Sequence, residues 1–175
     1  SSPGTDEDQT ALARALRKHG RLLRGIKKNR KAFLHFDEAL TILKGMQQSD
    51  LTNVDIAETY QEIGLNCGAI KDYEKAIKNF TLAFDVFKRV HGEYHEDVAT
   101  SLDCLGDAYL NILNFPKADE CINQALVISK RLGHHEQVQT ILIYLGSSYG
   151  ERGEFEKDSA IFHQAVDLAR SIHGE

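Results

Sequence analysis

A chain of 175 residues with 42% hydrophobic and 27% charged side chains has the composition of one soluble domain that buries its own core. No apolar run approaches the roughly 18 residues of a membrane span, and none stands near the N-terminus as in a secretion signal, so a cytoplasmic location is predicted. The three cysteines are odd in number, which favours free thiols over a disulfide framework.

Charge is unevenly distributed along the sequence, although the net charge is only -5. Residues 11–48 contain ten lysines and arginines against Asp37 and Glu38, whereas acidic residues predominate from residue 49 onward. One end of the molecule is therefore basic and the rest is acidic. Residues 1–8 precede the first helical pattern and are predicted to form a flexible N-terminal extension.

Four copies of one pattern follow each other along the chain. Each copy has an anchor glycine, and these glycines are 44, 42 and 40 residues apart. An alanine comes 12 residues later in three copies, with Asp158 as the exception, and another comes 19 residues later in all four. The anchor glycines are Gly20, Gly64, Gly106 and Gly146. The predicted repeats span residues 11–50, 54–95, 96–135 and 136–175.

Every copy has the pattern of two amphipathic helices joined by a short polar turn. Apolar residues recur three and four positions apart, as in Tyr60, Ile63 and Cys67. The turns AIKDY, NILNF and ERGEF each end in an aromatic residue that opens the second helix. Period-two alternation never persists, so no strand is predicted. The sequence therefore predicts a row of helical hairpins, each burying its apolar face against the next.

The segment HGEYHED, residues 91–97, has the residue types of a divalent-metal site, with His91 and His95 four positions apart. Gly92 stands between them and is expected to end a helix, so the histidines do not share the helical face that an HExxH site needs. Asp97 is expected near the start of the next helix. This segment is therefore predicted to be a joint between the second and third hairpins, and no metal site is predicted.

The repeats resemble the tetratricopeptide repeat family, most closely in LDCLGDAY with KADECINQA and in LIYLGSSY. The long repeat and the connector GEYHEDVA are similar to those of kinesin light chains. The resemblance implies an all-α fold, an α-solenoid of four tandem helix-turn-helix repeats that winds into a right-handed superhelix. The terminal SIHGE repeats RVHGE of residues 89–93 with no capping helix after it, so the chain is expected to be part of a longer array.

The resemblance also implies which residues line the concave groove where this family binds partners. The implied surface changes from basic to acidic to apolar along the repeats. Its residues are Arg14, Arg17, Lys18, Arg21, Arg24, Lys28, Glu58, Gln61, Glu62, Leu65, Asp103, Cys104, Asp107, Leu110, Ile143, Tyr144 and Ser147.

The first six of these residues form a basic stripe. They step by three or four residues and are expected to face one way on a single helix. Two interpretations of the stripe stay open at this point. Its arginines bind carboxylates of a partner, or the stripe is solvated or contacts the acidic remainder of the array or a second copy of the chain.

Sequence signatures of catalysis are missing. No glycine-rich loop follows a strand, and there is no GxSxG or Walker-type run. Cys67 and Cys121 occupy packing positions, while Cys104 is expected to face the groove. Neither an enzyme nor a cofactor is predicted.

The leading functional prediction is a non-enzymatic scaffold whose groove binds a peptide or helix of a partner protein. The partner is expected to be acidic at one end, basic in the middle and apolar at the other end. Two alternatives stay open: a peptide-sensing regulatory module, and nucleic-acid or anionic-lipid binding by the first repeat. The acidic chain and the lack of aromatic residues in the stripe make nucleic acid and membrane surfaces unlikely partners. Self-association through the open repeat ends is a further option.

Two known binding modes of the family are not expected. The carboxylate clamp of chaperone-binding members is not matched at the corresponding positions. The asparagine that kinesin light chains place two residues before the anchor glycine is replaced in every repeat, by Lys18, Glu62, Cys104 and Tyr144.

Overall fold

The computed structural model describes residues 5–173, with side chains up to residue 171. These residues form eight α-helices and no strand, as predicted. The helices are α1 (Asp6–Gly25), α2 (Asn29–Gly45), α3 (Asp50–Ala69), α4 (Tyr73–His91), α5 (Glu96–Asn111), α6 (Phe115–Leu132), α7 (His135–Glu151) and α8 (Phe155–His173). Each odd-numbered helix packs against the even-numbered helix that follows it, so four helical hairpins correspond to the four predicted repeats.

The chain divides into two compact units, Ser1–Gly92 and Glu93–Glu175. Unit 1 contains the first two hairpins and unit 2 the last two. The division lies inside HGEYHED: α4 ends at His91, and Gly92 follows with a φ of 84°. His95 is the N-cap of α5, and its Nδ1 accepts the backbone N–H of Asp97 at 3.3 Å. The predicted joint between the second and third hairpins is confirmed.

The first helix begins earlier than the sequence suggested. Thr5 and Asp8 form a capping box, in which the Thr5 hydroxyl accepts the N–H of Asp8 and the Asp8 carboxylate accepts the N–H of Thr5. Three carboxylates in the first turn also favour the positive end of the helix dipole. The expected flexible extension, residues 1–8, is therefore helical from Asp6 onward, and residues 1–4 lie outside the described part.

Each anchor glycine lies against a large side chain of the second helix in its own hairpin. A Cβ on Gly64 would stand 2.5 Å from the ring of Phe80, which is closer than atoms pack. Gly20 meets Phe36 and Gly106 meets Ile122 in the same way, while the fourth pair, at Gly146, is looser. The glycines therefore let two backbones approach with one large side chain between them.

The turn inside every hairpin has the same backbone conformation. The residue seven positions after the anchor glycine has a positive φ: 59° at Lys27, 62° at Lys71, 60° at Leu113 and 76° at Gly153. Only Gly153 adopts this region without steric cost. Because α1 ends at Gly25 and this turn follows, Lys28 precedes α2 as its N-cap and does not continue the basic stripe of α1, contrary to expectation.

Asp158 takes the place that alanine has in the other repeats. Its carboxylate lies against Gly150 of α7, where a Cβ would come within 2.9 Å of Oδ2. Oδ1 is buried and has no hydrogen-bond partner among the described residues. The missing side chain at Gly150 thus leaves the room in which this carboxylate fits.

Ion pairs connect α1 to α3 within unit 1. Four arginines of α1 face three acidic residues of α3, and we call this set the arginine ladder. Its members are Arg14, Arg17, Arg21, Arg24, Asp55, Glu58 and Glu62.

Asp55 is the centre of the arginine ladder. It is only 2% exposed, and its carboxylate accepts Nε and Nη2 of Arg14 at 2.8 to 3.0 Å and Nη2 of Arg17 at 3.1 Å. These hydrogen bonds raise the pKa of Arg14 above its ordinary value. Arg17 also donates to the backbone carbonyl of Asp55 at 3.0 Å and pairs with Glu58. The buried carboxylate is therefore fully compensated, as a charge in such a place must be.

Gly64→Ala should lower the free energy of unfolding by about 1 to 3 kcal/mol, because the new methyl group collides with Phe80. Gly68→Ala, on the same helix, has open space around its Cβ and should instead gain about 0.5 to 1 kcal/mol of helix propensity. Urea unfolding of both variants checks this. If both variants changed the free energy of unfolding by the same amount, the contact with Phe80 would not be the reason that glycine is needed at position 64.

Asp55→Ala should cost about 3 kcal/mol, because it leaves Arg17, whose side chain is 12% exposed, without its buried partner. The matched control is Glu58→Ala, which removes a 44% exposed carboxylate from the same arginine and should cost less than about 1 kcal/mol. Urea unfolding measures both. An Asp55→Ala variant as stable as Glu58→Ala would contradict the role given to the ladder.

Candidate partner-binding groove

On unit 1, the predicted basic surface is largely occupied by carboxylates of the same chain. Arg17 and Arg24 are 12% and 21% exposed, and Arg24 donates to Glu62 at 2.6 Å. Arg14 and Arg21 keep 54% and 61% of their side chains exposed, although each also pairs with an acid of α3. For these arginines, contact with the acidic remainder of the chain is what the structure shows.

The other predicted residues of unit 1 complete this surface. Lys18 is exposed on α1 beside the ladder, while Gln61 and Leu65 are half-buried on α3. Glu58 and Glu62 serve as partners of the arginines. The predicted change from basic to acidic is therefore realised across one pair of helices, as a surface in which the two charges neutralise each other.

On unit 2, the predicted groove residues of α5 and α7 lie side by side. The Tyr144 hydroxyl donates to Oδ1 of Asp107 at 2.5 Å, which joins the two helices across this surface. Asp103 lies one turn before Asp107 and is half-buried. Ile143 is 44% exposed beside Tyr144. The structure thus brings Tyr144, from the apolar part of the predicted groove, into contact with Asp107, from the acidic part.

The electrostatics of this surface differ from those of the ladder. Burial raises the pKa of Asp103, and the nearby charge of Asp107 raises it further. Burial, followed by the hydrogen bond to Asp107, also raises the pKa of Tyr144, so its hydroxyl keeps its proton and stays a donor. In the described part of the chain, neither aspartate forms an ion pair with a basic side chain. Unit 2 therefore presents two carboxylates without a counter-charge.

A cavity of about 380 Å³ adjoins these residues within unit 2. Its apolar part comes from the end of α5 and the start of α6, and its polar part from α7. The lining residues are Leu110, Asn111, Leu113, Phe115, Tyr144, Ser147, Ser148, Glu151 and Arg152. Three of the predicted groove residues, Leu110, Tyr144 and Ser147, are among them.

Two important charged residues were missed by sequence reasoning. Asp55 lies outside the implied groove positions, and its only signal was an acid between apolar neighbours in α3. Arg152 is 7% exposed, pairs with Asp119 at 3.2 Å and lies over the rings of Phe115 and Tyr149. No residue pattern in the sequence predicted the role of Arg152, because its partners lie on two different helices, α6 and α7.

Burial disfavours the thiolate form at two of the three cysteines, Cys67 and Cys121. All three are free thiols, and Cys67 is buried while Cys104 and Cys121 are half-buried. Burial raises the pKa of Cys67 and raises that of Cys121 to about 11, whereas a reactive cysteine needs a lowered pKa. Cys104 lies on α5, directly after Asp103 in sequence, and its orientation toward the groove stays a prediction. None of the helices in the described residues is long and apolar enough to cross a bilayer.

Comparison with known proteins agrees with the repeat architecture. Residues 55–131 match the tetratricopeptide repeat model. Kinesin light chain-related protein 2 of Arabidopsis thaliana is 28% identical over 133 residues, which is 74% of this chain and 20% of that protein.

Solved structures agree as well. The crystal structure of BtubC (BKLC) from P. vanneervenii covers 100% of this chain and 68% of its own, with a TM-score of 0.87 and 21% identity. The Rap conjugation gene regulator of plasmid pLS20, solved in complex with a Phr peptide, has a TM-score of 0.69 and 19% identity, over 85% of this chain and 40% of its own.

Three features of the described residues agree with this likeness: four helical hairpins, an anchor glycine packed against a large residue in each, and a matching repeat model over residues 55–131. This chain is similar to tetratricopeptide repeat proteins, and its fold is similar to that of kinesin light chain-like repeat structures.

Proposed function

We propose that this chain is a non-enzymatic scaffold that binds a peptide or helix of a partner protein, and that unit 2 receives a basic side chain of that partner. The observation that carries the proposal is the pair Asp103 and Asp107 on α5, neither of which forms an ion pair with a basic side chain among the described residues. A partner lysine or arginine supplies that charge.

The contrast with unit 1 supports this assignment. There the buried acid Asp55 is compensated by two arginines of the same chain. On unit 2 the half-buried Asp103 has a raised pKa instead, which means that its charged form is disfavoured in the free protein. A cation of the partner stabilises the Asp103 carboxylate. Part of the binding free energy therefore comes from relieving the unfavourable burial of this charge beside Asp107.

The neighbouring apolar surface suits the anchor of the same partner. The cavity beside Tyr144 is lined on its apolar side by Leu110, Leu113 and Phe115. Partner sites commonly combine an apolar pocket with a few polar groups that fix orientation. A basic residue followed or preceded by a large apolar residue is therefore the motif we expect in the partner.

Acidic residues of the partner are assigned to unit 1, at the exposed edges of Arg14 and Arg21. Their contribution is expected to be small, because both guanidinium groups already pair with carboxylates. The same neutralisation disfavours nucleic acid and anionic lipid, which need basic groups free to replace counterions. A peptide ligand also agrees with the Phr-bound Rap regulator, and the free thiols agree with a cytoplasmic location.

A peptide-display selection against the wild-type chain tests the proposal directly. Selected peptides should be enriched in lysine or arginine next to a large apolar residue. For a selected peptide, Asp103→Asn should weaken binding about tenfold or more, because a charge-assisted hydrogen bond is lost. The matched control is Glu120→Gln, which removes an exposed carboxylate of α6 in the same unit and should leave affinity unchanged.

Asp103→Asn should also make the free protein more stable at neutral pH. The folded-state pKa of Asp103 is raised, so the folded state binds more protons than the unfolded state, and stability falls as pH rises through that pKa. The gain of the variant should therefore be present at neutral pH and disappear in acid, where both states carry the protonated acid.

The two readouts together separate a binding role from a structural one. Urea unfolding at pH 7 and at acidic pH measures stability, and fluorescence anisotropy measures peptide affinity. The proposed site would be wrong if the selected peptides were not enriched in lysine or arginine and bound equally well to wild type and Asp103→Asn.

A further inference from the structure

We propose that Leu113, in the turn between α5 and α6, is a specificity-determining residue that holds an apolar side chain of the partner in the adjoining cavity. The inference rests on the peptide-binding function proposed above, and it assigns the selection of the apolar group to one residue. Leu113 lies inside unit 2, where α5 precedes its turn and α6, α7 and α8 follow it.

Leu113 has a backbone conformation that leucine avoids. Its φ is 60°, in the left-handed region, where the Cβ of an L-residue crowds the following carbonyl oxygen. The N–H of Leu113 donates to the carbonyl of Leu110 at 2.9 Å, and the N–H of Asn114 donates to that of Tyr109 at 2.9 Å. The turn is therefore closed by main-chain hydrogen bonds, neither of which involves the leucine side chain.

The side chain of Leu113 also gains little from folding. It is 72% exposed, so most of its apolar surface stays in water in the free protein. The first, second and fourth hairpins have Lys27, Lys71 and Gly153 at this turn position, and none of these is an apolar residue of comparable size. Neither the backbone conformation nor burial in the free protein thus favours leucine at position 113.

The cavity of about 380 Å³ in unit 2 gives this leucine a different use. Leu113 lines the cavity together with Leu110 and Phe115. Its volume is within the range of pockets that take up small ligands, about 300 to 1,000 Å³. An apolar group that enters the cavity therefore removes from water the part of Leu113 that the free protein leaves exposed.

Phe115, the aromatic residue of this apolar lining, is held in place by Arg152. The guanidinium group of Arg152 lies 4.9 Å from the centroid of the Phe115 ring and pairs with Asp119 at 3.2 Å. Arg152 is 7% exposed, so its charge is already used inside unit 2. An apolar lining that is fixed in the free protein loses less conformational entropy when a ligand binds.

The other hairpins supply the substitutions that test the role of Leu113. Leu113→Lys introduces the residue of the first and second hairpins, and Leu113→Gly introduces that of the fourth. Lysine keeps the steric cost of the positive φ and replaces the apolar end of the side chain by a charge. Glycine removes both the steric cost and the side chain.

Urea unfolding measures what Leu113 contributes to the fold. The urea midpoint of Leu113→Gly should be equal to that of wild type or higher, because glycine adopts the positive φ without steric cost. Leu113→Lys should unfold at the wild-type midpoint, since it changes an exposed side chain and keeps the same backbone cost.

Fluorescence anisotropy with a peptide selected against wild type measures what Leu113 contributes to binding. Both variants should weaken the affinity about tenfold or more, because the apolar contact is lost. The matched control is Val127→Lys, which places the same charge at a 58% exposed apolar position of α6, outside the cavity lining, and should bind like wild type. A repeated selection against Leu113→Lys should keep the enrichment in basic residues and lose that in large apolar residues.

The outcomes separate this inference from the proposed function. If Asp103→Asn weakens binding and neither Leu113 variant does, the role given to Leu113 is wrong and the basic site remains. If both Leu113 variants weaken binding and Asp103→Asn does not, the role of Leu113 is supported and the basic site is wrong. A chain that binds no peptide overturns both. A urea midpoint of Leu113→Gly clearly below wild type would assign Leu113 to the stability of the fold instead.

Discussion

Burial of the Asp55 carboxylate between Arg14 and Arg17 is the constraint on which unit 1 depends. A carboxylate that is 2% exposed is tolerated only because two guanidinium groups satisfy it, and both come from the neighbouring repeat. The pairing fixes the register of α1 against α3 and neutralises much of the basic stripe. The same contacts that join the repeats therefore decide which charges are left for a partner.

In unit 2 the first helices of the two hairpins, α5 and α7, are joined by a different interaction. There a hydroxyl–carboxylate hydrogen bond from Tyr144 to Asp107 links α7 to α5, and none of the described arginines pairs with Asp103. The fold is the same, with an anchor glycine and a covering residue in each hairpin, but the surface keeps an unsatisfied negative charge. Two units of one architecture thus differ in their charges: unit 1 neutralises its acids with its own arginines, and unit 2 carries the aspartates to which we assign a basic ligand.

Much of the fold could be predicted because it depends on spacing. The anchor glycines and the alanines recur at fixed distances, and the glycines have a local packing reason, the large side chain that lies against each of them. The early start of α1 was missed, since it depends on the Thr5–Asp8 capping box. The break before Lys28 was missed because a lysine, Lys27, takes the left-handed turn position where glycine is usual.

The candidate site was predicted as a set of positions but not as a set of interactions. Helical register placed Arg17 and Asp107 among the residues that contact a neighbouring first helix, but the charge of a segment does not predict which carboxylate an arginine pairs with. Asp55 was invisible as a partner because its contact is made across 38 residues of sequence. Identifying Asp103 as an acid without an ion pair therefore required the distances between carboxylates and basic side chains in the structure.

The pKa of Asp103, measured by NMR titration of its carboxyl carbon with and without a selected basic peptide, tests the central claim most directly. The account predicts a pKa above the ordinary aspartate value in the free protein and a lower one in the complex, because the partner cation stabilises the charged form. An ordinary pKa in the free protein that the peptide leaves unchanged would contradict it.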